Sequence, residues 1–111
     1  MANTFKSYTS RNVGTTPATV GSYTVAANTQ VTAIGCSVAN ITEYPVTVEI
    51  VLNDGTNSTR IVGPGALVPV GGALIAIGGD QKIVIPVGGS IRVTSSANTS
   101  LDVILSVLEI T

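Results

Sequence analysis

The chain has 111 residues, of which 44% are apolar and only 10% are charged, with no histidine and a formal net charge of -1. An average soluble domain is about one-quarter charged, so much of this surface must be Ser, Thr, Asn, Gly and aliphatic groups, a surface suited to burial against copies of itself or a partner. The composition argues against catalysis, because the side chain that most often carries protons near neutral pH is missing, and against nucleic-acid binding, which shows as a basic face and a high pI.

The length fits one domain, 1–111, large enough to bury roughly two-thirds of the surface its unfolded form exposes. Cys36 is the single cysteine, so no internal disulfide framework is possible and folding in a reducing cytoplasm is expected. The polar start, residues 1–11, lacks the apolar core of a secretory signal. The N-x-S/T matches at Asn40, Asn57 and Asn98 are therefore read as ordinary polar positions.

Residues 1–12 combine Asn, Thr and Ser with two cations and two rings. They are expected to form an extended attachment arm that is loose in the free protein and orders on a partner, with Phe5 and Tyr8 as apolar anchors and Lys6 and Arg11 meeting acidic groups. The competing expectation is a strand over residues 5–13. Further strands are expected near 19–25 and 30–40. The run Val46, Val48, Ile50, Leu52 alternates with Thr47 and Glu49 and predicts a half-buried strand. It ends at Asn53-Asp54-Gly55-Thr56, where Asp-Gly predicts a tight hairpin turn leading to a strand over 60–62.

Residues 61–79 carry no charge and are about as long as the shortest membrane span. Gly63, Pro64, Gly65, Pro69, Gly71, Gly72, Gly78 and Gly79 would break a helix repeatedly, so a Gly/Pro loop feeding a short strand over 73–77 is predicted. Ile83, Ile85 and Val87 precede Gly88-Gly89, and Ile91 and Val93 follow it, which predicts a second hairpin; Pro86 places its strand at an edge or a bulge. Residues 101–110 are apolar on both faces, with Leu101, Val103, Leu105 and Val107 on one and Ile104, Leu108 and Ile110 on the other. Such a strand is central in a layered core or covered by another subunit. No segment holds a helical period over three turns. The fold expected is all-β, an antiparallel β-sandwich, jelly-roll-like, of about eight short strands.

The chemistry-bearing residues are sparse. Glu43, Glu49, Asp54, Asp80, Asp102 and Glu109 form no acid/base couple. Asp54 and Asp80 fall at predicted turns, where a carboxylate accepts backbone hydrogen bonds; Asn53, Asp54 and Asn57 are too few charges for a strong calcium site. Cys36 lies among apolar residues without a histidine to activate it and is expected to be buried. Tyr8, Tyr23 and Tyr44 are expected to close the ends of the sandwich with their hydroxyls in water, in preference to forming a stacking platform for sugars. No cofactor and no metal are expected.

Residues 79–96, reading GDQKIVIPVGGSIRVTSS, followed by 101–111, LDVILSVLEIT, resemble the ending of short virion proteins of tailed bacteriophages. The upstream GTTPATV at 14–20 and VTAIGCSVAN at 31–40 resemble the same group. The resemblance implies a small β-rich particle component made in the host cytoplasm, either a head decoration (cement) protein or part of the neck or tail. In that setting the expected partners are other virion proteins, foremost the major capsid protein, and further copies of the chain as a dimer or trimer. Phe5, Lys6, Tyr8, Arg11, Ile104, Leu108 and Ile110 are the expected contact residues. The alternative is a neck, tail or fibre module that binds host-surface glycan.

Overall fold

The computed structural model describes residues 3–78 and 82–111. These contain nine strands: β1 (Asn3–Val13), β2 (Ala18–Thr19), β3 (Gln30–Asn40), β4 (Val46–Asn53), β5 (Ser58–Val68), β6 (Ala73–Ile77), β7 (Ile83–Ile85), β8 (Ser90–Ser95) and β9 (Leu101–Ile110). The helical segment among them is one 3-10 turn, Val20–Ser22. One sheet runs β1-β9-β3-β6, with β7 also on β3, and the other runs β2-β8-β4-β5. The pairings in both are antiparallel, so the chain is an all-β, two-sheet protein.

Side-chain alternation explains the layering. In β9, Leu101, Val103, Leu105 and Val107 are buried while Ile104 is exposed, and in β4, Val46, Val48 and Ile50 are buried. These residues join Val31, Ala33 and Val38 of β3 and Ile91 and Val93 of β8 in one cluster. The two inward faces thus supply a single core, as in a sandwich. The strand pairs also nest: β4 with β5, β3 with β6 and β7, β2 with β8, and β1 with β9. The chain therefore traces one long hairpin folded over on itself, and β9·β3 and β8·β4 stitch its folded arms together.

Five segments depart from the sequence reading. Residues 3–13 take the competing expectation, a strand over 5–13, in place of a loose arm: they lie paired along β9 through nine register positions, and the ladder satisfies backbone groups that a loose arm would leave to water. The Gly/Pro stretch is not a loop, because Gly63, Pro64 and Gly65 lie inside β5. The β4–β5 register jumps from Val48↔Ala66 to Ile50↔Val62, so these residues bulge out opposite Glu49 on an edge strand, the setting in which a sheet tolerates proline. The β4–β5 turn spans Asp54 to Asn57 instead of two residues, and only Gly55 has positive φ, at 96°. Asp54 Oδ1 closes it by accepting the Thr56 and Asn57 N–H groups at 2.9 and 2.7 Å. Asp80, the other expected turn carboxylate, lies outside the described residues. The expected strand over 19–25 is reduced to Ala18–Thr19, after which the 3-10 turn ends pairing.

The fifth departure is the second hairpin. β7 pairs with β3 in one sheet, while β8 pairs with β2 and β4 in the other. Pro86 has no N–H to continue the β7 ladder, which stops at Ile85. The Gly88 N–H then donates to the Val25 carbonyl at 2.9 Å and the Gly89 carbonyl accepts the Val25 N–H at 3.0 Å, carrying the chain round the corner between sheets. A Cβ on Gly89 would stand 2.8 Å from the Pro86 carbonyl oxygen and 2.9 Å from that of Asn53. Gly89→Ala should therefore cost about 1–3 kcal/mol through forced backbone movement. Gly63→Ala, whose Cβ meets nothing within 4 Å, is the matched control and should leave the thermal midpoint almost unchanged.

Candidate functional site

The outer face of the β1-β9-β3 sheet collects most of the apolar residues expected to bind a partner. Register pairing sets Phe5, Leu108, Thr32 and Val84 in one row across β1, β9, β3 and β7. A second row holds Thr9, Ile104, Ser37 and Ile75 across β1, β9, β3 and β6. Ser7, Ser106 and Gly35 lie between them. Ile110 stands at one end, beside Asn3 and Gln30. Phe5 is 73% exposed, Ile75 71%, Val84 69% and Ile104 50%, so these rows place large apolar groups in water. Neither row holds an ionisable side chain; Asp102 lies beyond the second row, opposite Ala39, and its Oδ1 accepts the Asn12 N–H at 3.0 Å. At the β7 edge the face opens into a cleft of about 340 Å³ lined by Thr32, Val84, Pro86, Val87 and Ile110.

Lys6 and Tyr8 are not on this face. Alternation along β1 pairs them with Val107 and Leu105 and turns them to the inner side, where Glu109 is buried at 8% exposure. Lys6 Nζ bridges Glu109 Oε1 at 2.9 Å. The Tyr23 and Tyr8 hydroxyls donate to Glu109 Oε2 at 2.5 and 3.3 Å, and the two rings stack with centroids 3.9 Å apart. The acidic partner of Lys6 is thus in its own chain, and the hydroxyls expected in water serve a carboxylate. Arg11 is exposed at the irregularity between Ser10 and Val13, next to Asn12, whose N–H reaches Asp102.

Sequence reasoning missed the Glu109 cluster, although a signal was present. The alternation that puts Leu101, Val103, Leu105 and Val107 inward also puts Glu109 inward, and a buried carboxylate needs donors. The Tyr23 hydrogen bond, then Lys6, hold the Glu109 carboxyl below its ordinary value of 4.5. Desolvation and then Glu109 push the Tyr23 phenol up. A carboxyl depressed in the folded state contributes stability that is complete above its unfolded pKa and is lost as pH falls through the folded value. The stability gap between the wild type and Glu109→Gln should therefore be constant near neutrality and close as pH drops below about 4.5, which thermal melts over a pH series will measure.

The remaining candidates carry no assembled chemistry. Cys36 is buried, and burial raises its thiol to about 11, which disfavours the thiolate needed of a nucleophile. Glu49 holds Arg60 at 2.8 Å beside a shallow groove on the other sheet lined by Thr47, Gly65, Thr94 and Ser96. Tyr44 is 73% exposed, and its carbonyl accepts Asn40 Nδ2 at 2.7 Å, beside the Leu101 end of β9. Tyr8 lies opposite Leu105, about 13 Å further along β9 at about 3.3 Å per residue, and its hydroxyl and that of its stacked partner Tyr23 are turned to Glu109. The three tyrosines therefore form no common platform. Among the described residues there is no cluster of three His, Cys, Asp or Glu able to hold a metal ion, and no helix is long and apolar enough to cross a membrane. No protein-family model, curated protein or solved structure matches the chain.

Proposed function

We propose that this protein is a non-enzymatic structural component of a bacteriophage particle, a decoration (cement) protein that binds and stabilises the head shell. The observation that carries this reading is the winding. A hairpin folded over so that its four strand pairs nest across two sheets supports a jelly-roll winding, an architecture used by viral capsid and lectin domains. Because a fold hosts many functions, the surface has to supply the second argument. An apolar, nearly uncharged sheet face suits a protein whose copies pair across the seams between neighbouring capsomers, and the resemblance of residues 79–96 and 101–111 to phage virion proteins points the same way. The glycan-binding alternative has less support, since two of the three tyrosines that would stack on sugar, Tyr8 and Tyr23, stack on each other and give their hydroxyls to Glu109.

The test is binding to undecorated heads. Purified protein should saturate a fixed number of sites per shell and raise the temperature at which the shells release their contents. Heads that take up none of it, under conditions where the protein is folded, would contradict the proposal.

A further inference from the structure

We infer that the outer face of the β1-β9-β3 sheet binds a second copy of the same face, about a two-fold axis that runs between β9 and β3 nearly parallel to the strands. The inference deepens the proposed function by naming the surface through which copies pair. It rests on self-complementarity of the residues across each row.

A two-fold axis in that position lays β1 of one copy over β7 and β6 of the other, and β9 over β3. In the first row, Phe5 and Val84 lie on opposite edges, each about 7 Å from the axis at about 4.8 Å per strand. The operation therefore carries the exposed Phe5 ring of one copy to the cleft beside Val84, Pro86 and Val87 of the other, and the reverse. At about 340 Å³ the cleft has room for a phenyl ring. The other positions match large to small: Leu108 meets Thr32, Ile104 meets Ser37, and Ile75 meets Thr9. An isologous interface requires this reciprocity, residue i on j and j on i. Sheets packed face to face also keep their strands within about 30° of one another, so the rows stay aligned.

Charge and area agree. Among the described residues, Arg11 and Asp102 lie together at one end of β1 and β9 and the two rows carry no ionisable side chain, so an identical face covers the rows without stranding an ion. Four strands wide and about eight residues long, it measures roughly 19 by 26 Å, about 500 Å² per copy. Pairing covers about 1,000 Å² in total, near the lower bound for a specific interface.

The test uses the full chain without heads. Sedimentation equilibrium should show a reversible monomer–dimer system. Phe5→Ala removes the knob and Val84→Trp fills the cleft; each should weaken self-association about tenfold or more. Mixed in equal amounts, the two variants should recover a heterodimer, because the indole in the cleft of one copy then faces the truncated position 5 of the other, while the second contact keeps its native Phe5 and Val84. Leu67→Glu, on the other sheet and 60% exposed, should leave the dimer intact, and melting curves will establish that each variant is folded. A wild type that stays monomeric up to about 1 mM, an assembly of another order, or a mixture that fails to recover would overturn the inference. Monomeric protein that still decorates heads removes the dimer and leaves the function standing, whereas a dimer that ignores heads does the opposite.

Discussion

Deletion of residues 1–12 is expected to abolish the cooperative fold. β1 is an outer strand, yet its nine register positions cover one whole side of β9, and β9 supplies Leu101, Val103, Leu105 and Val107 to the core. The ladder bonds contribute about 0.5–1.5 kcal/mol each, and the deletion also removes Lys6 and Tyr8 from the buried Glu109. A domain is stable by only about 5–15 kcal/mol, so the loss is comparable with the whole. The truncated chain should show no sharp melting transition and no dispersed near-ultraviolet signal. A truncated protein that melts at the wild-type midpoint would instead establish the segment as an accessory arm.

Leu105→Ala is expected to cost about 2–5 kcal/mol, the range for truncating a buried leucine. Leu105 is 1% exposed and lies between Tyr8 of β1 and Cys36 of β3, so neighbours on both strands hold the cavity open. With about 4–8 °C per kcal/mol for a domain near this size, the midpoint should fall by about 8 °C or more. Thr47→Ala is the control, because its side chain faces outward from the other sheet between buried Val46 and Val48. Equal shifts for the two would mean that the strand register is wrong, since a slip of one residue exchanges the faces.

The sequence made the core strands legible where alternation was strong and turn residues marked the ends. Residues 30–40 and 101–110 coincide with β3 and β9, and Leu101, Val103, Leu105 and Val107 share the buried face of β9. Local pattern could not say which sheet a strand would join. The runs flanking Gly88-Gly89 read as a hairpin, and the Val25 backbone, some sixty residues earlier, is what turns that corner. The proline in β5 misled for a related reason, since an edge position and a bulge are properties of the assembled sheet. Of the candidate contacts, Ile104, Leu108 and Ile110 follow from alternation along residues 101–110, and Phe5, expected as an anchor of the arm, lies on the same face. Lys6 and Tyr8 share the segment 1–12 with Phe5, but β1 is a strand and alternate residues point to opposite sides.

The most direct measurement of the proposed role is the number of copies of this chain in purified particles of the phage to which the proposal assigns it, by quantitative mass spectrometry against the major capsid protein. A shell decoration protein repeats with the capsid lattice, so on the order of hundreds of copies in a fixed ratio to the capsid protein are predicted. Its absence from the particles, or a count of about a dozen or fewer set by the symmetry of the neck or tail, would contradict the account.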